Sequence, residues 1–292
     1  MNITQNICFV GDTHGVRDRM ETVVAEAALH DATVIVQVGD FGIWPEMCDS
    51  RPQTDGFETD VAGMLRRHGV ELLVFVDGNH DWHPWLEKCR RKYEDSGVPA
   101  RTRLGPSLAR ATVPVEESGS VRWAPRGSLL DIFGVKVLCC GGAPSIDPEL
   151  RVPGLSWWPE EEITDDDVAR SCAAGRVDVL VTHDVSERVS IEGITDGWAP
   201  GEASRRRVER IRAATKPRWA FSGHYHKRSS TLVDDGAVAD EMGGARRRER
   251  SHRQAHDRRR RRDAAARRCG QRRAVGRLIL RVRCCRSASA TS

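Results

Sequence analysis

The sequence contains no unbroken apolar run longer than residues 72–76, against the roughly 20 that a membrane-spanning helix needs. Its N-terminus lacks a basic flank and a long apolar stretch, so no leader is expected and the expected compartment is the cytoplasm. None of the nine cysteines forms a Cys-x-x-Cys pair, the number is odd, and Cys8, Cys139 and Cys140 fall inside apolar runs. That pattern argues against a disulfide framework and for free buried thiols in a reducing compartment. Residues 246–292 hold no lysine and only three acids, Glu249, Asp257 and Asp263.

What is present fits a folded protein. The 292 residues are 39% hydrophobic with 26 glycines, ordinary globular values, enough for one large or two small domains. The formal charge of +4 hides an asymmetry: 18 arginines give residues 246–292 a net +15, which leaves −11 on residues 1–245. Such a tail invites a nucleic-acid reading, because each neutralised phosphate adds salt-sensitive affinity. The preferred reading is that the frame is shifted from about Ala237 onward in a GC-rich gene. The division expected is a domain over residues 1–240 and an arginine-rich tail without structure over 241–292.

Residues 1–222 alternate short apolar runs with amphipathic polar stretches, the pattern of an α/β or layered sheet protein. Strands are expected at 7–10, 34–38, 72–76, 135–140, 177–181 and 219–221. Helices are expected at 18–30, 57–68, 82–93, 165–174 and 204–214. Residues 128–140 read as a hairpin, as do 230–233 with the Asp235-Gly236 turn and the residues after that turn. Two stretches, about 97–127 and 143–164, resist assignment; loops of that length are often functional, which makes them candidate substrate walls.

Five of the ten histidines fall just after expected strands, in GDTHG (11–15), GNHD (78–81), THD (182–184) and GHYH (223–226), with GDFG (39–42) between the first two. Strand ends in such folds gather at one edge, where ligands bind. Asp12, His14, Asp40, Asn79, His80, His183, His224 and His226 would then meet. Carboxylate, imidazole and amide donors without thiolate suit divalent Mn, Fe, Zn or Ni. A carboxylate such as Asp40 has two oxygens with which to bridge a pair of ions, and such a pair suits phosphoryl displacement. The glycines beside the ligands (Gly11, Gly39, Gly78, Gly223) let the backbone turn sharply and leave room.

This ordered set resembles the calcineurin-like metallophosphoesterase superfamily over about residues 5–236. The resemblance implies a four-layer α/β fold, a β-sandwich of two mixed sheets flanked by helices. It implies that Asp12, His14, Asp40 and His226 bind one metal, and that Asp40, Asn79, His183 and His224 bind a second. It further implies that a hydroxide bridging the metals attacks phosphorus in line, while His80, not a ligand, contacts the phosphate with Asn79 and protonates the leaving oxygen. Protein serine/threonine phosphatases of the superfamily carry Asp-Arg-Gly and Asn-His-Glu motifs; GDFGIW lacks that arginine and the third motif ends in Asp81, which disfavours a phosphoprotein substrate. The segments GGAPSID (141–147) and GLSWWPEEE (154–162) resemble small bacterial and phage members.

The activity expected is hydrolysis of a small phosphomonoester or phosphodiester. The rivals are a nuclease acting on DNA or RNA, which would lean on the basic tail, and a non-catalytic metal-stabilised interaction module. Trp82, Trp157 and Trp158, with Trp44 and Trp85, lie after motifs or in the long loop; they are candidates to stack a nucleotide-like substrate, against a plain packing role. His30 and His68 end expected helices and read as structural. His83 is expected at the surface. Asp81 and Asp184 follow ligands and suit either orienting them or, for Asp81, capping a helix. Oligomeric state is left open.

Overall fold

The computed structural model describes residues 3–44, 56–97, 104–191, 199–232, 238–242 and 277–284. Alternation and 3.6-residue periodicity place its elements in chain order: β1 (Ile3–Val10), α1 (Arg17–Leu29), β2 (Ala32–Gln37), α2 (Phe57–His68), β3 (Leu72–Phe75) and α3 (His83–Asp95). Then come α4 (Pro106–Ala111), β4 (Val113–Pro114), β5 (Val121–Trp123), β6 (Ser128–Ile132) and β7 (Val135–Cys140). After short 3-10 turns at Pro148–Leu150 and Pro159–Glu161 come α5 (Asp165–Cys172), β8 (Val179–Thr182), α6 (Ala199–Thr215) and β9 (Trp219–Ser222). The last are β10 (Arg228–Leu232), β11 (Val238–Met242) and β12 (Arg277–Cys284).

Two six-stranded mixed sheets result, ordered β12-β1-β2-β3-β5-β4 and β10-β11-β9-β8-β7-β6. Within them β1, β2, β3 and β5 run parallel, as do β7, β8, β9 and β11, while the outer strands pair antiparallel. The period of two in each strand sorts its side chains between two cores. Ile7, Phe9, Val34, Val36 and Val74 face Leu130, Val137, Val179, Val181 and Phe221 between the sheets. Their neighbours Cys8, Val10, Ile35, Leu73 and Phe75 face out, against Met20, Val24, Val61, Leu65 and Leu86 of α1, α2 and α3. On the far side Leu138, Cys140 and Leu180 pack on Val168 of α5 and Val208 and Ile211 of α6. The layers are therefore helix, sheet, sheet, helix, the expected α/β architecture. Phe9 and Phe221, with ring centroids 4.3 Å apart, join the sheets at the level of the motif loops.

The expected helices and strands appear with ends moved by a few residues, and β6 and β7 form the expected hairpin. The second hairpin appears as the antiparallel pair β10 and β11, its turn lying outside the described residues. The unassigned stretch 97–127 contains α4, β4 and β5. There the strand pattern is broken by Arg122, which is fully buried and donates to the Thr112 hydroxyl (2.6 Å) and to the carbonyls of Ala109 (3.0 Å) and Thr112 (2.7 Å). Residues 277–284 of the tail, expected to lack structure, form β12, antiparallel to β1 from Ile3 opposite Cys284 to Val10 opposite Arg277. The expectation fails at that segment because RLILRVRC carries enough alternation to add to an open sheet edge. The rest of the tail lies outside the described residues. Cys8, Cys89, Cys139, Cys140 and Cys172 are free thiols. Among the described residues no helix is long and apolar enough to cross a membrane.

Candidate metal centre

Each of the five motifs occupies the loop leaving the C-terminal end of a parallel strand, β1, β2, β3, β8 or β9, so both sheets deliver side chains to one edge of the sandwich. Asp12, His14, Asp40 and His226 each offer a ligand atom, and these atoms lie within 4.8 Å of one another. Nε2 of His226 is 3.1 Å from Asp12 Oδ2 and 2.7 Å from Nε2 of His14, while Nδ1 of His14 is 3.8 Å from Asp40 Oδ2. Beside this group lies a second. Oδ1 of Asn79 is 3.2 Å from His183 Nε2 and 3.1 Å from His224 Nδ1, and His183 Nε2 is 3.4 Å from Asp40 Oδ1. Asp40 thus stands between the groups and turns one oxygen to each.

The backbone is bent to achieve this. His14, Asp40, His224 and His226 all have positive φ, at 51°, 52°, 78° and 55°. Such left-handed non-glycine residues cost about 1–3 kcal/mol each and persist only where surrounding bonds enforce them. Here His14 N donates to the Asp40 carbonyl (2.8 Å), His80 N to Asp40 Oδ1 (2.9 Å) and His224 N to Asp12 Oδ2 (3.0 Å). Gly78 and Gly223 are required by space, because a Cβ at either would run into the carboxylates of Asp40 and Asp12 respectively.

Charge and burial in the centre are poorly balanced by protein atoms alone. Asp12, Asp40 and His183 are buried. Burial would depress the His183 ring, but the charges of Asp40 and Asp12 override it and push it up to about 10. A proton on His183 offsets carboxylate charge that a bound cation would otherwise offset. Burial drives His14 down to about 4 and, with His183 alongside, His224 to about 3, leaving both neutral and able to ligate. His183 Nδ1 lies 2.9 Å from the Val38 carbonyl, which only accepts, so Nδ1 carries a hydrogen; the second hydrogen of the charged ring sits on Nε2, toward Asn79 Oδ1 and Asp40 Oδ1, where a bound cation would replace it. Asp12 Oδ1 and His224 Nε2 are buried with no hydrogen-bond partner. Orphaned buried donors and acceptors are costly unless something binds them. With an oxygen and nitrogen donor set, they fit divalent metal ions.

The family model for calcineurin-like phosphoesterases matches residues 5–228. The chain belongs to that family. No curated protein sequence matches it. A Thermus thermophilus protein of solved structure has the same fold, with a TM-score of 0.50 at 11% identity over 82% of this chain and 90% of that one. Also similar are a dimetal phosphatase from Danio rerio (TM-score 0.46, 13% identity, 83% and 87% covered) and the phosphopantetheinyl hydrolase from Mycobacterium tuberculosis (0.44, 16%, 82% and 88%).

The phosphoesterase centre is braced by residues that a reading of the motifs passes over. Asn79 Nδ2 donates to Ser145 Oγ (3.1 Å), which donates to Glu161 Oε2 (2.8 Å), while Glu161 Oε1 accepts from Ser145 N (2.5 Å) and Trp157 Nε1 (3.1 Å). This relay turns the amide so that its oxygen faces His183 and His224. The loop carrying Glu161 is held by Arg126, which forks onto Asp77 (2.9 and 2.7 Å) and donates to the carbonyls of Glu160 and Glu161. Ser145 and Glu161 lie in the two segments that resemble small bacterial and phage members, but neither segment has a periodicity that points to them.

Asp81 caps no helix: its carboxylate accepts from the backbone of Gly42 (2.9 Å), Phe41 (3.2 Å) and Gly78 (2.9 Å), pinning the Asp40 loop to the Asn79 loop. Asp184 accepts from the Tyr225 hydroxyl (3.0 Å), joining the last two motifs. His83, expected at the surface, is buried because its ring turns back onto the Gly78 carbonyl (3.1 Å). Of the tryptophans expected to form a substrate wall, Trp158 is 2% exposed beside His83, with no face left for a substrate, and Trp82 packs against the outer core. Trp157 spends its N–H on Glu161. Trp44 is the indole that borders His14 and His80, with centroids 6.3 and 5.7 Å away.

Proposed function

We propose that this phosphoesterase is dinuclear and hydrolyses a small phosphomonoester or phosphodiester. Asp12, His14, Asp40 and His226 hold one divalent ion and Asp40, Asn79, His183 and His224 the other, each being Mn, Fe, Zn or Ni. The observation that carries this reading is Asp40, whose two oxygens face two separate donor groups. When bound, the ions supply Lewis acidity and an activated water nucleophile.

The chain's own residues do the rest. Asn79 and His80 orient the phosphate, and His80, with its backbone fixed on Asp40 and its side chain 25% exposed at the rim, gives a proton to the leaving oxygen. Free thiols and a body net charge of −11 go with a cytoplasmic enzyme acting on small esters more readily than with a nuclease, which needs a positive channel. The test is turnover of p-nitrophenyl phosphate and bis-p-nitrophenyl phosphate after chelation and after Mn is restored. Activity is expected to vanish and return, and Asp40→Asn to lower it at least about 1,000-fold. Turnover that survives chelation sinks the reading. His80→Ala is expected to hurt esters with basic leaving groups most; equal losses across leaving groups would remove His80 from that role.

A further inference from the structure

The segment between the two 3-10 turns, which the sequence marks as a substrate wall, brings one cation to the rim of the centre. Arg151 is 8% exposed in its side chain. Its Nε and Nη2 lie 2.7 Å from Oδ1 of Asp147, four residues back, which fixes the plane of the guanidinium. Its Nη1 and Nη2 lie 3.2 and 3.4 Å from Nδ1 and Nε2 of His80, so the guanidinium edge runs along the imidazole edge. His80 in turn lies with Nε2 4.0 Å from Asp40 Oδ2. A permanent positive charge is thus set within hydrogen-bond reach of the side chain that faces the reacting phosphate.

Packing alone explains this placement poorly. An arginine has donors only and a neutral imidazole has a single accepting nitrogen, so the two side chains cannot satisfy each other at both contacts. A loop clip needs no more than the Asp147 contact. The ligand that fits both is a phosphoryl group, whose oxygens accept from guanidinium and imidazole together.

Charge decides which ester. Near neutral pH a phosphomonoester carries close to two negative charges, its second ionisation lying near pH 6, while a diester carries one. We infer that Arg151 is a specificity residue which binds a non-bridging oxygen of the phosphoryl group beside His80 and makes the enzyme prefer phosphomonoester dianions to diesters. This inference rests on the phosphoesterase reading of the centre and deepens it from reaction class to substrate class.

The experiment uses the full-length Mn-loaded protein and Arg151→Gln, Arg151→Lys and Asp147→Asn, with p-nitrophenyl phosphate, bis-p-nitrophenyl phosphate and inorganic phosphate as probes. Arg151→Gln is expected to lower kcat/KM for the monoester about 30-fold and for the diester less than about 3-fold, and to weaken phosphate binding by calorimetry about tenfold or more, with Mn content unchanged. Arg151→Lys restores part of the monoester loss, because it keeps charge without the fork. Asp147→Asn, which frees the guanidinium without removing it, gives a smaller loss in the same ratio. Equal losses on both esters, or phosphate binding that does not change, overturn the inference and reduce Arg151 to a loop clip. Failure of the parent reading looks different: the unsubstituted protein would turn over neither ester with Mn present.

Discussion

The two halves of the centre are held in unlike ways. The Asn79, His183 and His224 group is enclosed: His183 is fully buried, its ring is oriented by the Val38 carbonyl, and Asn79 is locked through Ser145 to Glu161. The His14 and His226 group is open, with side chains 18% and 23% exposed, and its two Nε2 atoms face one another at 2.7 Å. An enclosed, braced set loses little order on binding, whereas an open one must organise as it binds. The enclosed group is therefore expected to hold its ion more tightly, and the open group to exchange first.

Single substitutions break this comparison. His183→Ala should do most: it removes a ligand and also the proton carrier that offsets Asp40 and Asp12 in the metal-free protein. Loss of Mn to one ion or fewer per chain, a lower melting temperature and at least about 1,000-fold less turnover are expected, read by elemental analysis, calorimetry and assay. His14→Ala should remove one ion and leave the fold near its original stability; if it unfolds the protein as readily as His183→Ala, the contrast between the halves is wrong.

Ser145→Ala sharpens it. With no hydroxyl to fix its amide, Asn79 loses its preferred flip, and affinity for the tighter ion should fall about 10–100-fold while the weaker one is unchanged. Titration of both sites with Mn separates these effects, and a uniform loss would assign Ser145 a general packing role.

The smallest effect concerns pH. Burial pushes the Glu161 carboxyl up to about 7 from an ordinary 4.5. Between those values the native protein keeps a proton that the unfolded chain releases, so raising pH from about 4.5 to about 7 should lower stability relative to Glu161→Gln, with no further change outside that window. Urea midpoints of both proteins at pH 4, 5.5 and 7.5 measure it, and a constant difference would mean that Glu161 titrates alike in the folded and unfolded chain.

The contrast also shows what a sequence makes legible. The proposed ligand positions stand out because each follows a strand and sits beside a residue small enough to admit a carboxylate, as Gly78 and Gly223 do. Residues that hold ligands in place obey no such rule. Ser145, Glu161 and Arg151 come from a stretch with little regular structure, and their relation to Asn79 and His80 exists only once the chain is folded. The same limit hid β5, whose central Arg122 spends its charge on buried carbonyls, while β12 alternates plainly but lies inside a long arginine-rich tail whose composition masks it. Trp158 misleads for the opposite reason: a large side chain near a motif is as useful to packing as to a ligand, and here packing takes it.

The most direct measurement is a crystal structure of the Mn-loaded protein with anomalous scattering recorded at the metal edge. The account predicts two peaks, one on either side of the Asp40 carboxylate, the first among Asp12, His14 and His226 and the second among Asn79, His183 and His224. A single peak, or two peaks without Asp40 between them, would contradict it.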